Sequence, residues 1–240
     1  AHRAMSNNSA IYDVKPNSID FMKEWLALAE SGTGERGIFN RYSINSLIPK
    51  RRRKRQDWTT NPCGEIILRP RGFCNLTEVV IRAEDTLETL MEKIKVATMI
   101  GTIQSTLTDF NLLDDLHDDW KKNAEEERLL GVSMTGQMDN PDILTPDNLQ
   151  SLRDFSVGVN VETAERLKIN RSVAITTTKP SGTVSTLVNS ASGFHPRFAD
   201  YYIRRVRISA TDPLYRMMKD QGVKFHPEVG QPVETAQTWV

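Results

Sequence analysis

The residues most able to do chemistry lie in "WTTNPCGEIILRPRGFCNLTEVV", Trp58 to Val80, which holds both cysteines of the chain. Asn61 and Glu65 flank Cys63 at two residues either side. Alternating positions on an extended segment point to one side, so an amide, a thiol and a carboxylate could line one cavity. A carboxylate disfavours a neighbouring thiolate, and no histidine lies nearby in sequence to favour one. The trio therefore suits a neutral thiol that gives or takes a hydrogen atom, with Glu65 as a separate acid or base on a substrate. A loop cysteine with incidental polar neighbours has the same spacing.

Cys74 lies eleven residues beyond Cys63. The pair lacks the CxxC spacing and second ligand pair of a zinc site. A hairpin disulfide and a redox role with a cysteine outside the chain both stay open. In "TTTKPSGTVS", a strand ends in Lys179-Pro180 and turns into a helix. The first helical amides could hold a phosphate, Gly182 permits close backbone approach, and Ser181, Thr183 and Ser185 add hydroxyls. The GxxxxGK[ST] order of a P-loop is absent, and a capped helix start explains the same residues. His195 and His226 read as packed turn histidines.

The elements that must position these groups alternate between helices and short β-like runs, which favours an α/β class with parallel strands. One helix starts at Asn17 or Ser18, runs to about Glu30 and places Phe21, Trp25 and Leu28 or Ala29 on one face. "GIFNRY", "EIIL", "NLTEVVI", "RLLGVSMTG", "SVAITTT" and "YYIRRVRIS" read as strands, and "ETAQTWV" ends the chain in another. Asp85 and Glu88 suggest a capping box. It opens a helix whose Leu87, Leu90, Met91, Ile94, Ala97, Ile100, Ile103 and Leu107 are expected in the core. Thr145-Pro146 starts a helix carrying Leu149, Leu152, Phe155 and Val159 to about Leu167. The basic run Arg51–Arg55 and the acidic stretch "DDLHDDW" around His117 read as solvated faces; nucleic-acid and metal sites are the sharper alternatives.

The 240 residues are 38% hydrophobic and 26% charged, with 31 Lys+Arg against 31 Asp+Glu. That balance argues against a general polyanion binder, so no nucleic-acid partner is expected. No run approaches the ~18 apolar residues of a membrane span. Two cysteines and no visible leader point to the cytoplasm. The absent initiator Met and the strand-like end suggest a piece of a longer protein.

"NPCGEIIL", "FCNLTEVV", "TTTKPSGTVSTL" and "GFHPRFADYYIRRVRI" together, in this order, resemble the adenosylcobalamin-dependent (class II, monomeric) ribonucleoside-triphosphate reductases. The resemblance covers essentially the whole chain. It implies that residues 1–240 are a central piece, truncated at both ends, of a ten-stranded α/β barrel with Cys63 at the tip of a central finger loop. It implies adenosylcobalamin as cofactor, a ribonucleoside triphosphate as substrate, a thioredoxin-type reductant and an allosteric parent enzyme serving deoxyribonucleotide synthesis. Cys63 would carry the thiyl radical, Glu65 would be the general base and Asn61 would hold the sugar hydroxyls. Cys74 would be one of two reducing cysteines, and Ser181, Gly182, Thr183, Val184 and Ser185 would bind phosphates. The second reducing cysteine, the C-terminal cysteines and the effector region have no match here, so the chain alone is expected to be inactive. No cobalt-ligating histidine stands out, and no metal ligand is assigned. A diiron-radical-dependent diphosphate reductase, a non-catalytic nucleotide-binding module and a thiol-disulfide protein using Cys63 with Cys74 are the alternatives. The resemblance places an uncharged thiol in a pocket whose far wall is the helix start after Pro180.

Overall fold

The computed structural model describes residues 8–32, 36–110, 117–203 and 205–240. Two compact units divide the chain, Ala1–Arg197 and Phe198–Val240.

The first unit is built on a short parallel sheet. Strand β5 (Asn75–Val80) pairs in parallel with β6 (Leu130–Thr135), from Asn75 opposite Leu130 to Val80 opposite Thr135. Residues 173–177 run beside the other edge of β6. Leu130 and Val132 donate to the carbonyls of Ala174 and Ile175, and Thr177 donates back to Val132. "SVAITTT" thus takes a strand's place, with one isolated parallel bridge between Val132 and Thr176. Helix α3 (Leu87–Gln104) leads from β5 towards β6, and α4 (Asp119–Glu127) precedes β6 directly. Helix α5 (Pro146–Leu167) leads to the third run. These are β–helix–β crossovers, the connection that parallel strands require.

Alternation along the strands separates two faces. On the helix face, Val79, Leu130, Val132 and Ile175 pack with Leu90, Ile94 and Ala97 of α3 and Leu152 of α5. On the other face β6 presents Gly131, Ser133 and Thr135, all small.

Several sequence expectations shift here. The α3 cap is Thr86, reciprocally bonded with Thr89, one residue later than the expected box at Asp85 and Glu88. Asp85 instead accepts from the Arg82 amide and pairs with Lys93 at 2.6 Å. Ile100, Ile103 and Leu107 are exposed, and Leu107 lies beyond the helix. The buried positions in that half are Ala97, Thr98, Gly101 and Thr102. They meet α5 through a polar seam. Thr98 and Ser156 hydroxyls lie 2.9 Å apart, and Asn160 donates to Thr102 and Ser172 at 3.0 and 2.9 Å. Small, mutually hydrogen-bonded side chains let the two helices approach closely without unsatisfied polar groups.

The remaining elements are smaller. Strands β1 (Asn8–Tyr12) and β2 (Arg36–Asn40) pair in parallel. Between them α1 (Ser18–Ser31), capped by Asn17, leaves Trp25 exposed and buries none of its residues fully. A short turn α2 (Ile44–Leu47) follows. Strands β3 (Thr59–Thr60) and β4 (Ile67–Leu68) form an antiparallel ladder around the Cys63 loop, so "EIIL" shrinks to two strand residues. A five-residue helix α6 (Thr183–Leu187) follows the "KPSG" turn.

The run Arg51–Arg55 is not a uniformly solvated loop. Arg52 is buried, forms a bidentate pair with Glu127 at 2.7 and 2.8 Å, and lies over the Trp58 ring. In the acidic stretch, Asp114 and Asp115 lie outside the described residues. Among those described, no group of three His, Cys, Asp or Glu could hold a metal ion. No described helix is long and apolar enough to cross a membrane.

In the second unit β7 (Ile208–Ser209) pairs antiparallel with β8 (Thr238–Trp239), and α7 (Pro213–Asp220) lies between them in sequence. Buried Tyr215 packs between Phe225 and Trp239. "YYIRRVRIS" supplies only the last two residues of its expected strand, and Arg204 lies outside the described residues. Four separate two-stranded pairings, rather than a closed barrel, are formed by the described residues.

Candidate active site

The Cys63 loop is a tight turn, not an extended segment. Across its base the Asn61 amide donates to the Ile66 carbonyl at 3.2 Å, and Asn61 Oδ1 accepts from the Ile66 amide at 3.0 Å. Gly64 takes φ +80°, a conformation that favours glycine, and its amide donates to the Asn61 carbonyl. Asn61 and Glu65 therefore approach each other because the chain reverses between them. Half of the Asn61 side chain already serves as a structural staple.

The loop lies on the small-residue face of the sheet. A Cβ added at Gly131 would stand 3.1 Å from Ile66 Cδ1 and 3.2 Å from Cys74 Sγ. Further along β6, Ser133 Oγ accepts from the Lys179 amide. At the far end Thr177 donates its hydroxyl to the Glu65 carbonyl at 2.8 Å. The loop thus spans from the start of β5, where Cys74 sits, to the end of the third run, where Lys179 sits.

Lys179 joins the groups. Its Nζ lies 2.9 Å from Glu65 Oε1 and 4.0 Å from Cys63 Sγ. The Glu65 side chain is only 4% exposed, and its Oε2 is buried without a hydrogen-bond partner. Burial pushes the Glu65 carboxyl up. The Lys179 ammonium, the local backbone and Asn61 together outweigh it and hold the group below the usual glutamate range. Burial lowers Lys179, yet Glu65 first and then Cys63 and Glu78 raise it above the ordinary lysine value. A carboxylate with one oxygen held by an ammonium and the other buried and unpartnered keeps an acceptor for a hydroxyl that reaches it.

The two cysteines have opposite environments. Both are free, so the hairpin disulfide is not formed. Cys63 is exposed at the loop tip, which departs from the expected thiol enclosed in a pocket. Pro62 and Gly64, its neighbours in the turn, are exposed as well. Cys74 is partly buried, and burial, with the Glu65 charge second, pushes its thiol up to about 12. It is a protonated sulfhydryl at neutral pH.

The "KPSGT" turn is held from within. Ser181 is buried, donates to Glu78 Oε1 at 2.6 Å and accepts from the Gly193 amide. The Ser185 hydroxyl returns to the Gly182 carbonyl, and the Val184 amide to Ser181. Two of the three expected hydroxyls are thus spent on shape, leaving Gly182, Thr183 and Val184 exposed. Gly182 adopts φ +53°, ψ −123°, a region for glycine alone. His195 and His226 are exposed rather than packed. Sequence reasoning missed Lys179 and Glu78. Strand alternation could have indicated Glu78, which lies two and four residues beyond Leu76 and Cys74 on one face.

No family model matches the chain. An adenosylcobalamin-dependent ribonucleoside-triphosphate reductase from Lactobacillus acidophilus is 30% identical over 202 residues, 71% of this chain and 26% of that protein. The Levilactobacillus brevis protein of the same name is 28% identical, covering 95% of this chain and 34% of its own length. A crystal structure of a B-12 dependent (class II) ribonucleotide reductase superposes with a TM-score of 0.60 at 23% identity, over 98% of this chain and 36% of that one. The chain spans a quarter to a third of the length of the curated relatives it matches. In sequence and in α/β fold, it is a homologue of one segment of the adenosylcobalamin-dependent ribonucleoside-triphosphate reductases.

Proposed function

We propose that residues 1–240 are part of the catalytic barrel of a cytoplasmic enzyme that reduces ribonucleoside triphosphates to deoxyribonucleotides by thiyl-radical chemistry. The observation that carries this reading is the Glu65 carboxylate beside Cys63, with Oε1 held by Lys179 and Oε2 buried and unbonded. The parallel β–helix–β units supply the wall of a ten-stranded barrel, whose other strands lie outside the chain. The exposed loop tip then points into the barrel's interior.

Adenosylcobalamin is the cofactor under this reading and supplies the one-electron chemistry that makes the Cys63 sulfur a radical. The partners of Cys63 and Glu65 include no imidazole among the described residues.

The Cys63 thiyl takes the 3′ hydrogen atom of the ribose and becomes a thiol. Glu65 Oε2 accepts the 3′-hydroxyl proton, and the Asn61 Nδ2 end orients the sugar hydroxyls. The 2′-hydroxyl leaves as water with a proton from Cys74. Cys74 and a second thiol outside this chain give two electrons to the sugar and end as a disulfide, the second thiol's hydrogen goes to C2′, the Glu65 proton returns to O3′, and a thioredoxin-type protein reduces the disulfide. Cys63 finally returns its hydrogen atom to C3′. A protonated Cys74 suits this role, because it must deliver hydrogen rather than attack as a thiolate. The exposed Gly182–Val184 backbone takes the substrate phosphates, with Ser181 and Ser185 fixing the turn.

The test is C63S in the full-length protein, assayed for deoxyribonucleotide formation with adenosylcobalamin and a dithiol. Turnover is expected to vanish while the melting temperature stays unchanged. Turnover at the wild-type rate ends this reading.

A further inference from the structure

Lys179 is a charged group at the site that none of the roles above uses. It starts the "KPSGT" turn, yet its side chain runs back to the Cys63 loop. Its amide is fixed by Ser133 Oγ at 3.0 Å, so the base of the side chain is anchored on β6. Its ammonium touches Glu65 Oε1 at 2.9 Å and stands 4.0 Å from Cys63 Sγ. Its side chain is 28% exposed, while that of Glu65 is 4% exposed. Glu78, the other carboxylate on this face, is engaged by Ser181. Without Lys179 the Glu65 carboxylate would be buried with no hydrogen-bonded cation on either oxygen. Such a group takes up a proton or turns towards water, and either change removes a base.

We propose that Lys179 is the positioning residue of this site: it holds the Glu65 carboxylate by one oxygen, leaves the other for a substrate hydroxyl, and places a positive charge against Cys63. The inference rests on the function proposed above. A strap that merely joined the loop to the end of the third run would need the contact but not the charge. Thr177, which donates to the Glu65 carbonyl, already provides such a strap without any charge.

The experiment uses the full-length protein with K179M, K179Q, K179R and E65Q. In K179M and K179Q, kcat is expected to fall about ten- to a hundredfold with KM for the triphosphate little changed, the signature of a lost transition-state interaction. The acidic limb of the kcat profile should move to higher pH, because Glu65 loses the cation that keeps it ionised. K179R should restore most of both. A second readout is independent of turnover. The rate ratio of iodoacetate to iodoacetamide at Cys63, resolved by peptide mass spectrometry, should drop severalfold in K179M and K179Q and recover in K179R. Should K179M melt early, the polar K179Q and K179R carry the same comparison. Wild-type kcat, acidic limb and alkylation ratio in K179Q overturn the proposal while E65Q remains inactive. Wild-type turnover in E65Q overturns the reading of Glu65 as base, and then the alkylation ratio alone decides the charge at Cys63.

Discussion

Replacing Glu127 by Gln tests how the Cys63 loop is held. Arg52 and Glu127 side chains are 3% and 6% exposed and meet through two bonds. Arg69 Nε lies 3.3 Å from the same carboxylate, so one anion faces two cations. Arg52 also donates to the Ile67 carbonyl at 2.7 Å, and its guanidinium stands 4.5 Å from the Trp58 ring centroid. Trp58 precedes β3 and Ile67 lies in β4, so this cluster clamps both ends of the loop. Breaking a buried pair from one side costs about 3–5 kcal/mol, because the partner charge stays buried. Gln keeps one acceptor oxygen, so the expected loss lies at the lower end, about 3 kcal/mol. The control is E165Q. Its partner Arg171 and Glu165 itself are each 59% exposed, and such a pair contributes below about 1 kcal/mol. Urea denaturation compares the two, and hydrogen exchange reports residues 58–68 separately. R52M/E127M should fall between wild type and E127Q, since the mutual pair is gone but Arg69 has lost an anion. An E127Q loss no larger than that of E165Q, or unchanged exchange across 58–68, refutes the clamp.

Three further outcomes follow from the same geometry. At about pH 8, iodoacetamide should label exposed Cys63 at least ~10-fold faster than Cys74, whose thiol stays protonated; equal rates by peptide mass spectrometry contradict this. G131A should destabilise the chain by about 1–3 kcal/mol in urea, because its Cβ would stand 2.5 Å from Leu76 Cδ2 and crowd Ile66 and Cys74. For Asp85, burial raises the carboxyl, but Lys93, the Arg82 amide and Thr89 together hold it below the ordinary range. Its contribution is therefore present above the unfolded aspartate value near ~3.9 and is lost as pH falls through the lower folded value. D85N should then lower the urea midpoint at about pH 7, and its gap to wild type should shrink as pH falls below ~3.9; a gap that does not shrink in acid counts against the pairing.

What the sequence made legible, and what it hid, divides along physical lines. Local signals held: Asn17 and Thr145 cap their helices, Gly136 closes β6 and Pro146 opens α5. Periodicity misled where helices meet through small polar residues. The Ile100 and Ile103 stripe looked like core, whereas Thr98, Gly101 and Thr102 form the seam with α5, and no hydrophobicity pattern registers that preference. Arg52 was lost inside a basic run, because its anion lies 75 residues away in sequence. Lys179 shows no role in the sequence for the same reason, its partner Glu65 being 114 residues distant. Ion pairs of such range leave no mark in composition or spacing.

The sheet explains why two thiols eleven residues apart have opposite environments. On β6 the helix-facing residues are Leu130 and Val132, and the opposite face is Gly131, Ser133 and Thr135. That small-residue track lets the loop from Asn61 to Ile66 lie close against the strands, with Ile66 near Gly131 and Glu65 bonded to Lys179. Cys74 and Ile66 both border the space above Gly131, and burial keeps the Cys74 thiol protonated, while Cys63, at the turn's apex, is exposed. A larger side chain at Gly131 would lift the loop off the sheet. It would expose Cys74 and move Glu65 away from Lys179 in the same displacement. The contrast between the sulfurs is thus set by residues that carry no reactive group, and G131A should raise the alkylation rate of Cys74 while leaving that of Cys63 nearly unchanged.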